Sequence, residues 1–161
     1  STAMVTESLS VHAVGLPRDC PDLEAEREAL QRLRELGDVE AEVASLRRVA
    51  QLAWAARRME EGLRAVEEGQ QLLHQQRNRE AELEFLAWAV SALRKNHSAE
   101  ALRFAKRRLE LFRQMQMLPE VAITLCDIAE LCIASDEVAE ATEAGRAAES
   151  IFKRLKDHKG E

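Results

Sequence analysis

Hydrophobic residues recur along this chain at the three- and four-residue spacing of amphipathic helices. The helical segments are separated by short polar breaks, in which Ser98 and Asp136 can accept a backbone N–H at a helix start. Pro119 suits the first position of a helix. The pattern predicts a leading helix, Pro21 to Leu36, and three helix pairs. The predicted pairs are 39–57 with 59–76, 79–94 with 98–116, and 119–134 with 137–156.

The same residue types return at a fixed interval along the chain. A large apolar residue near the end of alternate helices recurs at spacings of 40, 39 and 40, at Leu33, Leu73, Phe112 and Phe152. Three further columns keep this period, namely Leu46, Phe85 and Leu125; Ala50, Ala89 and Ala129; and Glu61, Glu100 and Glu140. Such a period is typical of a helical repeat array. The short breaks make the two helices of each pair antiparallel.

These columns resemble the tetratricopeptide repeat (TPR) family, in which a large apolar residue and then small residues follow each other on the first helix of a pair. The first-helix residues are Leu46, Val49, Ala50 and Ala53, then Phe85, Trp88, Ala89 and Ala92, then Leu125, Ile128, Ala129 and Cys132. A small residue stands early in each second helix, at Gly62, Ala101 and Ala141. The resemblance covers Val39 to Lys156. The period is longer than the family's usual length of about 34 residues, as in its long-repeat variant.

The resemblance implies an all-α fold, an α-α solenoid in which TPR-like helix pairs form a right-handed superhelix. A HEAT-like array or a plain helical bundle is the alternative, because all three stack helix pairs. We expect a flexible N-terminal segment with a tag remnant at 1–20, the array at 21–156 and a tail at 157–161. No separate capping helix follows the last pair. The chain is then either a fragment of a longer array or a protein whose open end meets a partner.

The resemblance also implies that the first helices line a concave face that binds a partner. The predicted partner-binding residues are Arg47, Gln51, Trp54, Leu83, Leu86, Val90, Leu93, Ile123, Glu130 and Ile133, with Ala44 and Cys126 beside them. The rows of the second and third pairs are mostly apolar, and an exposed apolar stripe is typical of a surface that a partner covers. Two alternatives are burial of these positions in the core and an error in the assumed register.

Charge and composition narrow the function further. The formal net charge of −6 disfavours nucleic acid and an anionic membrane as partners. No apolar segment approaches the roughly 18 residues of a membrane span. Three cysteines without a CxxC spacing favour reduced thiols and a cytoplasmic location. The four histidines are scattered, and no phosphate-binding glycine loop occurs, so we expect no metal, no cofactor and no catalytic residues.

The leading functional hypothesis is an adaptor, a protein-interaction scaffold that binds a peptide or amphipathic helix of another protein in an apolar groove. One alternative is a peptide-sensing regulatory module of a larger signalling protein. Another is an array that self-associates through its open ends as a homodimer. An enzyme is disfavoured, because no arrangement resembles an activated nucleophile or an acid–base pair.

Overall fold

The computed structural model describes residues 20–160, which form seven α-helices and no β-strand. The predicted N-terminal segment lies outside the described residues, apart from Cys20. The all-α class is confirmed. The helices are α1 (Pro21–Leu36), α2 (Val39–Ala55), α3 (Met59–Gln75), α4 (Arg79–Leu93), α5 (Ser98–Gln114), α6 (Leu118–Ala134) and α7 (Val138–Lys159).

Two helix starts are capped by side chains other than the predicted ones. Asp38 and Asn78 cap α2 and α4, accepting hydrogen bonds from the third residue of each helix at 3.1 and 3.2 Å. The predicted caps are wrong, because Ser98 lies inside α5 and Asp136 precedes the residue that caps α7. The tail predicted to begin at 157 is also too long, since α7 continues to Lys159.

Most helices are followed by a residue in the left-handed backbone conformation, which turns the chain toward the next helix. Gly37 has this conformation after α1, with φ of 70°. Four non-glycine residues adopt it after α2, α3, α5 and α6, at Arg57, Arg77, Gln116 and Asp136. After α2, the N–H of Arg58 donates to the carbonyl of Ala53 at 2.8 Å, which closes the turn. These turns keep the connections between helices to a few residues.

The chain forms two compact units that meet inside α3, between Gly69 and Gln70. In the first unit α1 packs on α2, with Leu23 and Leu46 among the buried residues. In the second unit consecutive helices pack in order, α4 on α5, α5 on α6 and α6 on α7. Phe104, Leu131 and Cys132 lie in its core. Each unit is therefore built from contacts between neighbouring helices.

The first helices α2, α4 and α6 bury the same positions when each is counted from its N-cap. The residues at these shared positions are Glu42, Ser45, Leu46, Val49, Ala50 and Ala53 on α2; Glu82, Phe85, Leu86, Ala89, Val90 and Leu93 on α4; and Val121, Thr124, Leu125, Ile128 and Cys132 on α6, where Ala129 is half-buried. Leu83, Ala122 and Leu131 are buried in addition. Leu46 is therefore equivalent to Leu86, and the predicted equivalence with Phe85 is wrong.

The register error arises from the position of a single residue. The starts of α2, α4 and α6 are 40 and 39 residues apart, whereas those of α3, α5 and α7 are 39 and 40 apart. In the structure, the shorter interval of the repeat lies between the starts of α4 and α5. The sequence columns had placed the missing residue before α4. One residue turns a helix by about 100°. The error therefore rotated the predicted faces of α4 alone, so that Leu86 and Val90 are buried together with Phe85 and Ala89, whereas Ala92 is exposed.

Candidate functional site

An exposed row of side chains runs along α6 in the second unit, and we call it the α6 face. Ile123 and Ile133 are 56% and 67% exposed, and Cys126 and Glu130 between them are also exposed. Spacings of three and four residues place these four side chains on one side of the helix. The α6 face thus presents two large aliphatic side chains and one carboxylate to solvent.

The predicted partner-binding residues on α4 are not part of an exposed surface. Leu83, Leu86, Val90 and Leu93 are all buried, with Leu86 completely inaccessible. The prediction of an open apolar stripe on α4 is therefore wrong, and both alternatives, core burial and a displaced register, hold for this helix. The residues of α4 equivalent to the α6 face are Glu84, Ala87, Ser91 and Arg94, which are exposed or half-buried.

The predicted residues on α2 belong to the first unit and differ among themselves. Gln51 is exposed, whereas Arg47 and Trp54 are half-buried. The indole of Trp54 lies directly against Gly62 of α3, where an added Cβ would be 2.8 Å from Cε2 of the ring. Trp54 therefore packs between α2 and α3. The small residue predicted at Gly62 is required for this close approach.

Ion pairs join α4 to the α6 face in the second unit. The guanidinium of Arg94 lies 3.2 Å from Asp127 Oδ1 and 3.4 Å from Glu130 Oε2. Arg94 was not among the predicted site residues, because the assumed register placed Leu93 at the position of Trp54 and Ile133. In the observed register it is equivalent to Trp54 and Ile133. These contacts orient the carboxylate of Glu130 at the edge of the aliphatic row.

Asp127 also acts on a second arginine, Arg108 of α5. Burial lowers the pKa of the Arg108 guanidinium, and the nearby negative charge of Asp127 partly opposes this shift. Arg108 stacks over the ring of Phe112, with its guanidinium carbon 5.2 Å from the ring centre. Lys106 of α5 pairs with Glu140 of α7. These cations are used in packing α5 against its neighbours.

The two cysteines of α6 have opposite environments. Cys132 is fully buried and Cys126 lies exposed on the α6 face. Burial raises the pKa of the Cys132 thiol, and the negative charge of Glu140 raises it further. Because the thiolate is the reactive form, Cys132 is a packing residue. All three cysteines at positions 20, 126 and 132 are free.

Two further properties of the described residues bear on function. Within residues 20–160, no group of three His, Cys, Asp or Glu side chains could hold a metal ion. In the same range, no helix is both long and apolar enough to cross a membrane.

No protein-family model matches the chain, and no curated protein sequence matches it. The TPR resemblance therefore rests on the repeat itself and stays a prediction. The structure adds that five positions, counted from the N-cap, are buried in all three first helices.

Proposed function

We propose that this chain is a TPR-like helical-repeat scaffold, a right-handed α-α solenoid that binds a peptide or amphipathic helix of another protein. The proposed scaffold carries out no catalytic step and uses no cofactor. Its main support is the exposed aliphatic pair Ile123 and Ile133 on the α6 face, at positions that are polar or charged in α4. Apolar side chains arranged in this way on an ordered helix can bind a partner without a large entropic cost to the scaffold.

The partner best suited to this face is an amphipathic helix. Ile123 and Ile133 are ten residues apart, which spans about 15 Å along a helix. Two apolar residues of a partner helix, separated by nearly three turns, can cover both. Glu130 lies between them and shares the guanidinium of Arg94 with Asp127, which leaves one net negative charge that favours a Lys or Arg at the matching position of the partner. The interface is thus aliphatic at its ends and charged near its middle.

Selection from a library of displayed helical peptides tests this proposal directly. We expect the wild-type protein to enrich peptides with spaced apolar residues and a basic residue between them. Ile133→Glu should lose this enrichment while keeping its melting temperature, because the side chain is already exposed. Ser91→Glu, at an exposed position on α4, is the matched control and should bind as the wild type does. Equal enrichment by Ile133→Glu would reject the α6 face as the binding surface.

Self-association is a second candidate function, favoured by a different observation. Val138 and Phe152 on α7 are 63% and 44% exposed, and both lie on one side of the helix. Phe112, the equivalent of Phe152 on α5, is buried. Sedimentation over a range of protein concentrations should then show a dimer that Phe152→Glu dissociates. A monomer at every concentration would exclude this candidate.

A further inference from the structure

A buried glutamate occupies the same place in the first two repeats. Glu42 and Glu82 each stand four residues after the N-cap of their first helix, and only 7% and 1% of their surface is exposed. Such burial is costly for a carboxylate unless other groups satisfy it. Both repeats therefore need a nearby donor.

A basic residue near the end of the preceding helix lies beside the carboxylate in both cases, and in the first it forms an ion pair with no hydrogen bond. Arg34 Nε lies 3.6 Å from Glu42 Oε1. His74 Nδ1 lies 3.3 Å from Glu82 Oε2, and the amide of Gln70 donates to Glu82 Oε1 at 3.0 Å. Each unit thus contains a junction between helices where a carboxylate is held by a basic residue from a last helical turn.

The third junction keeps the basic residue and lacks the carboxylate. Val121 stands where Glu42 and Glu82 stand in the earlier repeats, and Arg113 is equivalent to His74. Ala147 replaces Arg107, whose guanidinium donates to Gln70 at 2.7 Å in the second junction. Val121 and Ala147 are smaller than Glu82 and Arg107, so they leave open a space that polar side chains fill in the second junction.

This space is a cavity of about 610 Å³ between α5, α6 and α7, which we call the α5–α7 pocket. Its floor is apolar and includes Val121, Leu125 and Ile151, and the arginines Arg113 and Arg154 stand at its sides. Among the described residues, neither arginine forms an ion pair and no acidic side chain lines the pocket. The volume lies within the range of roughly 300–1,000 Å³ typical of ligand sites.

We propose that the α5–α7 pocket binds an acidic side chain of a partner peptide, next to an aliphatic residue that packs on the apolar floor. Two guanidinium groups suit a carboxylate, because each can donate two parallel hydrogen bonds to it. The first two junctions of this chain hold a carboxylate at the same place, beside Arg34 in one and beside His74 and Gln70 in the other. The pocket uses the side of α6 that carries Leu118 and Leu125, away from Ile123 and Ile133, so it is independent of the α6 face.

A peptide copied from the chain itself provides a defined probe. Residues 81–86 have the sequence Ala-Glu-Leu-Glu-Phe-Leu, in which acidic and apolar residues alternate. The peptide is acetylated, amidated and labelled with an uncharged fluorophore, and its binding to the full chain is followed by anisotropy. We expect saturable binding that added salt weakens. Replacing both glutamates of the peptide with glutamine should weaken binding about tenfold or more, the usual effect of removing a charged hydrogen bond.

Variants of the protein assign the binding to this pocket. Arg113→Gln and Arg154→Gln should each weaken binding about tenfold without changing the melting temperature, since both side chains are exposed. Arg146→Gln removes an exposed arginine of α7 that does not line the pocket, and it should bind as the wild type does. Ala147→Leu narrows the pocket without altering charge and should also reduce binding.

Three outcomes would overturn the proposal. These are absence of binding at peptide concentrations up to about 1 mM, equal binding of the glutamine peptide, and an equal loss with Arg146→Gln. Sedimentation of the same variants tests whether a second copy of the chain, and not a peptide, occupies the pocket. A dimer of the wild type that Arg113→Gln dissociates would place a second copy of the chain in the pocket and would likewise reject the peptide.

Discussion

Replacing Leu86 with alanine tests the register of α4, which determines which residues can bind a partner. Leu86 is completely buried, and its equivalents Leu46 and Leu125 are buried too. Truncating a buried leucine to alanine typically costs about 2–5 kcal/mol, because apolar burial is lost and a cavity remains. The absence of any exposed surface places Leu86 in the middle of this range, at about 3 kcal/mol.

The assay compares Leu86→Ala with Ile133→Ala by urea unfolding and by thermal unfolding, both monitored by circular dichroism. For a chain of this size each kcal/mol shifts the melting temperature by roughly 2–4 °C, so Leu86→Ala should melt about 6–12 °C lower. Ile133 is an aliphatic residue on a first helix but is 67% exposed. Its truncation should change the free energy of unfolding by less than about 0.5 kcal/mol.

The glutamate variants at the same two positions sharpen the comparison. Leu86→Glu would bury a carboxylate without a partner and should unfold the second unit or destabilise it by several kcal/mol, whereas Ile133→Glu should be tolerated. A loss below about 1 kcal/mol for Leu86→Ala would refute the observed register. Equal losses for Leu86→Ala and Ile133→Ala would do the same. Either result would return Leu86 to the list of partner-binding candidates.

Three further predictions concern other parts of the chain. Gly62→Ala should cost about 1–3 kcal/mol in thermal unfolding, because its Cβ would overlap a packed indole, while Gly145→Ala, with no atom within 4 Å, should be neutral or slightly stabilising. Gln116→Gly should raise the free energy of unfolding by up to about 1 kcal/mol, since Gln116 has a φ of 57°; a loss in urea titration would contradict this. Cys126 should react with a thiol reagent in the native protein well before the buried Cys132, whose raised pKa disfavours the thiolate; equal rates would contradict the burial on α6.

The α5–α7 pocket could not be found from the repeat columns alone. The sequence contains both buried glutamates, Glu42 and Glu82, at a spacing of 40 residues, yet they resemble the many charged residues of solvated helix faces. Only their burial, and the basic residues Arg34 and His74 beside them, distinguishes them. Once these two glutamates are recognised, Val121 at the equivalent position of the third repeat shows that a carboxylate is absent there.

The amino-acid sequence by itself determined the helices of this protein. Spacing of apolar residues, a composition rich in helix formers and short polar breaks predicted seven helices, and α1 has the predicted bounds. These signals are local, since helix formation depends on residues within a few turns. The period near 40 was visible for the same reason, because it repeats local patterns.

Only the tertiary structure decided which face of each helix is buried. Alanine, leucine and valine occur on several sides of α4, so the sequence allowed two registers that differ by one residue. Packing against neighbouring helices selected the one that buries Leu86 and Val90 and exposes Glu84 and Ser91. Burial depends on contacts between residues far apart in the chain, and a rotation of about 100° leaves the local helical signal unchanged.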